Sequence, residues 1–193
     1  MPIESLTFKG LRVRPVVLKL GRPVVARIAT MTAWPLILID LYTEEGVTGR
    51  AYLEPYVVKS MRYLVPALED MGEMLKGQPL SPADLYETAR KSLHFVGYEG
   101  LSMIVVSGLD MAAWDSLARA AELPLCRLLG GSVGPVRAYN SNGLWLREPS
   151  ALADEAVALR DEGGFTGLKL RMGRDGVADD LAALEAVSYT HLR

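Results

Sequence analysis

The stretch GFTGLKLRMG (residues 164–173) decides how the second part of this chain folds. Leu168 and Leu170 alternate with Lys169 and Arg171, and side chains along a strand alternate faces. One face of the segment is therefore aliphatic, and the other carries two long cations. Upstream, SALADEAVALRDEGG (residues 150–164) has the spacing of an amphipathic helix, and VRAYNSNG (residues 136–143) reads as a short strand. Downstream, VADDLAALEAV (residues 177–187) begins another helix with Val177, Leu181 and Leu184 on one side. Strand, helix, strand, helix at this spacing indicates βαβ units and a parallel sheet. GGSVGPV (residues 130–136) is the linker leading into it.

The pattern before that linker is different. LRVRPVVLKL (residues 11–20) alternates Arg12 and Arg14 with Leu11 and Val13, as a half-buried strand does. PLILIDLYT (residues 35–43) is rich in β-branched residues, TEEGVTG supplies a turn at Gly46, and RAYLEPY returns as a partner strand. This is an antiparallel meander, with a long connection over residues 21–34 between its first two strands. Helices follow. Met61, Leu64, Leu68, Met71 and Leu75 share a helical face closed by Gly77, with Pro66 set to kink or split that helix. Ser81 and Pro82 open a second helix. A third, in residues 99–125, is apolar around much of its circumference and is expected to end at Leu123-Pro124. Strands followed by helices make an α+β domain.

Bulk properties narrow the classes. The chain has 193 residues, a net charge of −2 and 50% hydrophobic residues, an ordinary composition for a folded domain. No basic run suggests nucleic acid, no signal-peptide pattern opens the chain, and the apolar stretches are interrupted before the ~20 residues of a membrane span. A cytoplasmic location is the default expectation. The single cysteine, Cys126, excludes an internal disulfide and a cysteine-based zinc site.

Lys169 and Arg171 carry the strongest chemical signal. Cations held close together disfavour one another's charged form, which is how a lysine becomes a usable base. Such a pair also binds a carboxylate, with arginine able to grip it bidentately. The alternative is that both snorkel to solvent or pair with neighbouring helices. Asp110 and Asp115 lie five apart on a helix and so on different faces, which suits structural carboxylates. His94 reads as a surface or core histidine, and Ser141 as a turn residue or a ligand-facing hydroxyl just past a strand.

The stretches GLRVRPV, LILIDLYTEEGVTGRAYL, GYEGL, GLDMAAWDSLARAAELPLCRLLGG, VRAYNS and GFTGLKLRMG occur in an order and spacing that resembles the mandelate racemase subgroup of the enolase superfamily. That resemblance implies an α+β N-terminal capping domain (residues 1–128) followed by the first two β/α units of an incomplete (β/α) barrel (residues 129–187). It implies an enzyme, racemase or acid-sugar dehydratase, that uses Mg²⁺ to remove the proton α to a carboxylate through an enediolate. The substrate would be a small carboxylate, a 2-hydroxy acid or an acid sugar, and the full-length protein would self-associate. The family's Lys-x-Lys motif falls on Lys169, Leu170 and Arg171. Lys169 matches the lysine that contacts the substrate carboxylate. Arg171 departs from the racemase base, and a guanidinium that keeps its proton is a clamp and a poor acceptor. That departure weakens two-base racemisation and leaves open dehydration by a distant histidine, so both outcomes stand.

The specificity loop would correspond to GRPVVARIATMTAW (residues 21–34), with Val24, Ile28 and Met31 as apolar lid positions and Arg27 as a charge suited to a polar or doubly acidic substrate. Tyr56 matches a lid tyrosine of a second loop, beside Glu54, and Ser141 matches the serine that approaches metal-bound substrate. The family's metal-ligand positions lie beyond this chain, because a complete barrel needs ~250 residues and too few remain after Arg137. The chain is therefore expected to be C-terminally truncated and inactive by itself. SYTHLR (residues 188–193) drops the apolar period, and VSYTHLR resembles the translation of a sequencing-library adapter, so a non-native tail is expected there. Two other readings stand beside the enzyme: a non-catalytic capping or assembly module, and Schiff-base lyase chemistry from Lys169.

Overall fold

The computed structural model describes residues 5–189. The chain divides into two compact units: residues 1–18 with 34–134, and residues 19–33 with 135–193.

The first unit is built on a three-stranded sheet in the order β1-β2-β3. β1 is Phe8–Ala26, β2 is Ala29–Thr43 and β3 is Thr48–Leu53. β2 and β3 pair antiparallel with Asp40 opposite Arg50 and Ile37 opposite Leu53. The turn between them is fixed by Thr43, whose hydroxyl accepts the Val47 N–H at 3.0 Å, and by Gly46 at φ 84°. Ile37, Ile39 and Leu41 are fully buried, so every second residue of β2 faces the core. Asp40 lies on the opposite face, between Arg14 at 2.7 Å and Arg50 at 3.5 Å.

Three helices cover the core face. α1 (Met61–Leu75) buries Leu64, Leu68, Met71 and Leu75, the spacing read from the sequence. Pro66 neither splits nor ends it; Pro66 and Arg62, whose carbonyl loses its donor, are both exposed. α2 (Pro82–Ser92) begins after Ser81, which caps through its backbone carbonyl and not its hydroxyl. α3 (Leu101–Ala120) packs against β3. It is the one helix among the described residues long and apolar enough to cross a membrane, which corrects the expectation of shorter apolar runs. Val106, Leu109, Ala112 and Ala113 put it in the core. α3 ends at Ala120, short of Leu123-Pro124, because Glu122 turns left-handed at φ 54° and Leu123 donates back to the Ala118 carbonyl. A short α4 (Leu125–Leu128), which the sequence pattern did not signal, follows.

The second unit changes two expectations. Residues 21–34 are not an irregular connection: β1 and β2 run on to a two-residue turn at Arg27 and Ile28, forming one long hairpin. The strands expected at residues 136–143 and 165–173 meet in a single parallel bridge, Asn140 with Leu168, instead of an extended ladder. Asn140 donates to the Gly167 carbonyl and Lys169 to the Asn140 carbonyl, the slanted pattern of a parallel pair. Behind it lie α5 (Leu152–Asp161) and α6 (Val177–Ser188). Leu144, Leu152, Ala156, Leu159, Ala183 and Val187 form their core, with Leu168 and Leu170 packed on it. Of the expected tail, Ser188 closes α6 and Tyr189 caps it, while residues 190–193 lie outside the described residues.

Candidate functional site

The alternation of Leu168 and Leu170 with the two cations sets the geometry. The leucines pack on the α5–α6 core, so Lys169 and Arg171 belong to the opposite face. Asn140, across the parallel bridge from Leu168, turns its amide to the Leu159 carbonyl at 3.0 Å and to Glu162 at 3.2 Å. Ser141, the next residue, enters a turn in which the Asn142 N–H donates to Asn140 Oδ1 at 3.0 Å. Leu168 and Leu170 pack on the helices, and alternation leaves Lys169 and Arg171 for the side away from them. Ser141 and Lys169 are exposed and Arg171 is half-buried.

Arg171 is held by a ring. Its guanidinium lies over the Trp145 indole at 4.5 Å, within cation–π range, while its Nη1 is buried without a hydrogen-bond partner. The indole Nε1 is likewise buried and unpaired. The backbone N–H of Arg171 donates to the Leu144 carbonyl at 3.0 Å, and Leu144 itself is left-handed at φ 51°. Trp145 and its loop therefore shape the surroundings of Arg171.

The ends of these loops are tied by Arg174, whose side chain is 9% exposed. Its Nη1 donates to Asp180 at 3.0 Å, and its Nε and Nη2 donate to the Arg147 carbonyl at 3.1 and 2.8 Å. The Gly173 N–H donates to Asp180 at 2.8 Å; together with burial opposing it and the Arg174 contacts assisting, this holds the Asp180 carboxyl below the usual range.

The lid positions fall in two groups. Val24, Arg27, Ile28 and Met31 lie in the hairpin of the second unit, Val24 and Met31 half-buried and Ile28 93% exposed. Within that unit Val25 accepts the Leu146 N–H at 3.2 Å, and Arg22 pairs with Glu162 at 3.0 Å. Arg27 lines a 400 Å³ cleft together with Glu148, Asp175 and Asp179. Arg147 and Arg174 line the same cleft. Tyr56 belongs to the first unit, exposed at φ 60° and edge-on to Trp34 at 6.2 Å. Glu54 is exposed.

The remaining titratable candidates are structural. Asp115 accepts the Arg50 N–H at 2.7 Å and Arg119 Nε at 2.6 Å, joining α3 to β3. Burial raises the Asp110 pKa, against the opposing effect of a Trp114 hydrogen bond. His94 has a partner that the sequence did not suggest, the Tyr98 hydroxyl at 2.6 Å. Sequence reasoning missed Trp145, Arg174 and Asp180. The only trace of them was MGRDG after the strand, where Gly173 takes φ 120°.

The first unit is an antiparallel meander capped by helices, and the second pairs two helices with a single parallel bridge. The family Mandelate racemase / muconate lactonizing enzyme, N-terminal domain, matches residues 9–130, and the chain belongs to it. Among solved structures, an enolase from alpha proteobacterium bal199 with bound magnesium is 66% identical with a TM-score of 0.93, over 97% of this chain and 53% of that one. An enolase from Bradyrhizobium complexed with magnesium and mandelic acid is 34% identical with a TM-score of 0.86, over 97% of this chain and 52% of that one. Among curated proteins, L-talarate/galactarate dehydratase of Salmonella typhimurium is 27% identical over 157 residues, 81% of this chain and 39% of its own length. The chain thus spans about half the length of these solved relatives, and less of the dehydratase.

Magnesium prefers oxygen ligands, typically carboxylates with water. Among the described residues no group of three or more His, Cys, Asp or Glu side chains gathers to hold a metal ion. The residues here do not fit the ion that those two enolases carry.

Proposed function

We propose that this chain is the capping domain and first two barrel strands of an enzyme that removes the proton α to a carboxylate. Membership of the family supports this reading, as does its similarity to a mandelate-bound enolase and to an acid-sugar dehydratase. The observation that carries it is the packing of Leu168 and Leu170 on the helices, which leaves Lys169 and Arg171 to the other face. On that face the Lys169 ammonium attracts the substrate carboxylate and the Ser141 hydroxyl offers it a hydrogen bond. Arg171 serves as an electrostatic clamp, because a guanidinium is a poor proton acceptor. That favours elimination of water from an acid sugar over two-base racemisation. Val24, Ile28 and Met31 supply the lid of this unit, and the whole enzyme is a homo-oligomer.

The experiment joins residues 1–187 to the C-terminal half of the 66% identical relative. The hybrid is incubated with mandelate and with acid sugars in D₂O with Mg²⁺, and followed by ¹H NMR. A 2-keto product signals dehydration, and deuterium at Cα without loss of water signals racemase-type chemistry. No exchange with any of these acids sinks the proposal.

A second reading, a capping or assembly module without catalysis, draws on the lack of a metal-holding cluster among the described residues. Titrating the hybrid with Mg²⁺ and a substrate analogue separates the two, since a module shows no coupled binding even after the barrel is restored.

A further inference from the structure

We propose that Arg174 is a positioning residue that sets where the Arg171 guanidinium points, by holding the backbone of both members of the Trp145–Arg171 stack. The geometry is specific. Arg174 Nη2 donates to the Trp145 carbonyl at 3.4 Å and Nη1 to the Arg171 carbonyl at 3.3 Å. One planar fork therefore touches the main chain of the ring and of the cation that lies on it. The same group reaches the Arg147 carbonyl through Nε and Nη2, so the loop after the first strand segment is held at two residues. Asp180, at the start of α6, pins the fork in turn and is itself fixed by the Gly173 and Arg174 N–H groups.

Arg171 depends on this arrangement because its side chain has little else to hold it. Its Nη1 is buried without a hydrogen-bond partner, and the contact that locates the guanidinium is the indole face at 4.5 Å. Where Trp145 sits therefore decides where the charge sits. A buried arginine making several carbonyl contacts at fixed angles suits that task, and lysine does not, since an ammonium is a point charge without the fork. The role concerns the stack itself and holds whatever reaction the whole enzyme performs.

The test reads Trp145 alone. The chain has three tryptophans, and the Trp34→Phe, Trp114→Phe chain leaves Trp145 as the emitter. In that background R171M removes the cation from the ring, so the emission spectrum shifts and acrylamide quenching rises. R174K, which keeps a positive charge beside Asp180, reproduces the same shift and the same rise, and adding R174K to R171M changes neither further. D180N, which leaves the guanidinium but frees it, gives a smaller change of the same sign. Far-UV circular dichroism confirms that each variant folds; should R174K fail to fold, D180N against R171M provides the same comparison. Parent-like emission and quenching in R174K and D180N overturn the proposal. So does an Arg174 effect that adds undiminished on the R171M background, which is the signature of general loosening.

Discussion

Gly49 on β3 lies directly against the backbone of α3: a Cβ at that position would overlap the Ala112 carbonyl oxygen and the Ser116 hydroxyl. The reverse contact exists as well, since a Cβ on Gly108 would come within 2.7 Å of Ile39 Cδ1. Gly49 thus lets the core helix and the edge strand approach to backbone distance, while Gly108 makes room for the side chains of Ile39 on β2 and Leu53 on β3. Gly49→Ala meets main-chain atoms that cannot move aside, and the expected cost is about 3 kcal/mol. Gly108→Ala meets flexible side-chain ends and costs less. Thermal melts followed by circular dichroism check the order; equal melting temperatures for Gly49→Ala and the parent refute it.

Asp115 is the second link between the same two elements. Removing its carboxylate in Asp115→Ala leaves the Arg50 N–H without its 2.7 Å acceptor and Arg119 without its partner. Both groups border solvent, so water replaces part of the loss and about 1 kcal/mol is expected. Urea titration measures it, and the Arg50 amide should exchange its hydrogen faster than in the parent. Unchanged exchange at Arg50 would show that the hydrogen bond is not formed in solution.

Asp110 gives a pH dependence of definite sign. Burial raises its carboxyl pKa above that of the unfolded chain, so the folded state holds the proton more tightly. Between the unfolded value, about 3.9, and the raised folded value, stability falls as pH increases, and the cost is fully present above that window. Asp110→Asn removes it. The variant should be more stable than the parent at pH 7, with the difference shrinking as pH is lowered through the window and vanishing below about pH 4. A constant difference at all pH values would be inconsistent with titration of Asp110.

Much of this was legible because it rests on local periodicity. The helical face of Leu64, Leu68, Met71 and Leu75 and the alternation of Leu168 with Lys169 are direct consequences of how side chains project from helix and strand. The hairpin at residues 21–34 was not legible as strand. Gly21 and Pro23 read as strand breakers, so the residue types do not mark a strand there, and hydrogen bonding to the partner defines it. The Arg174 clamp was hidden for another reason. Backbone carbonyls are its acceptors, and any residue carries one, so neither Trp145 nor Arg147 signals the contact in its side-chain type. The Ala120 terminus was misplaced because the left-handed Glu122, and not the following proline, breaks the helix.

The claim on which the functional account depends is that Lys169 and Arg171 face the carboxylate of a substrate. The most direct measurement is a crystal structure of the hybrid enzyme, residues 1–187 joined to the C-terminal half of the 66% identical relative, with mandelate and Mg²⁺ bound. The account predicts Lys169 Nζ within hydrogen-bond reach, about 3 Å, of a ligand oxygen, with Ser141 on the same side and Arg171 still stacked on Trp145. Ligand bound elsewhere, with both cations turned into bulk solvent, would contradict it.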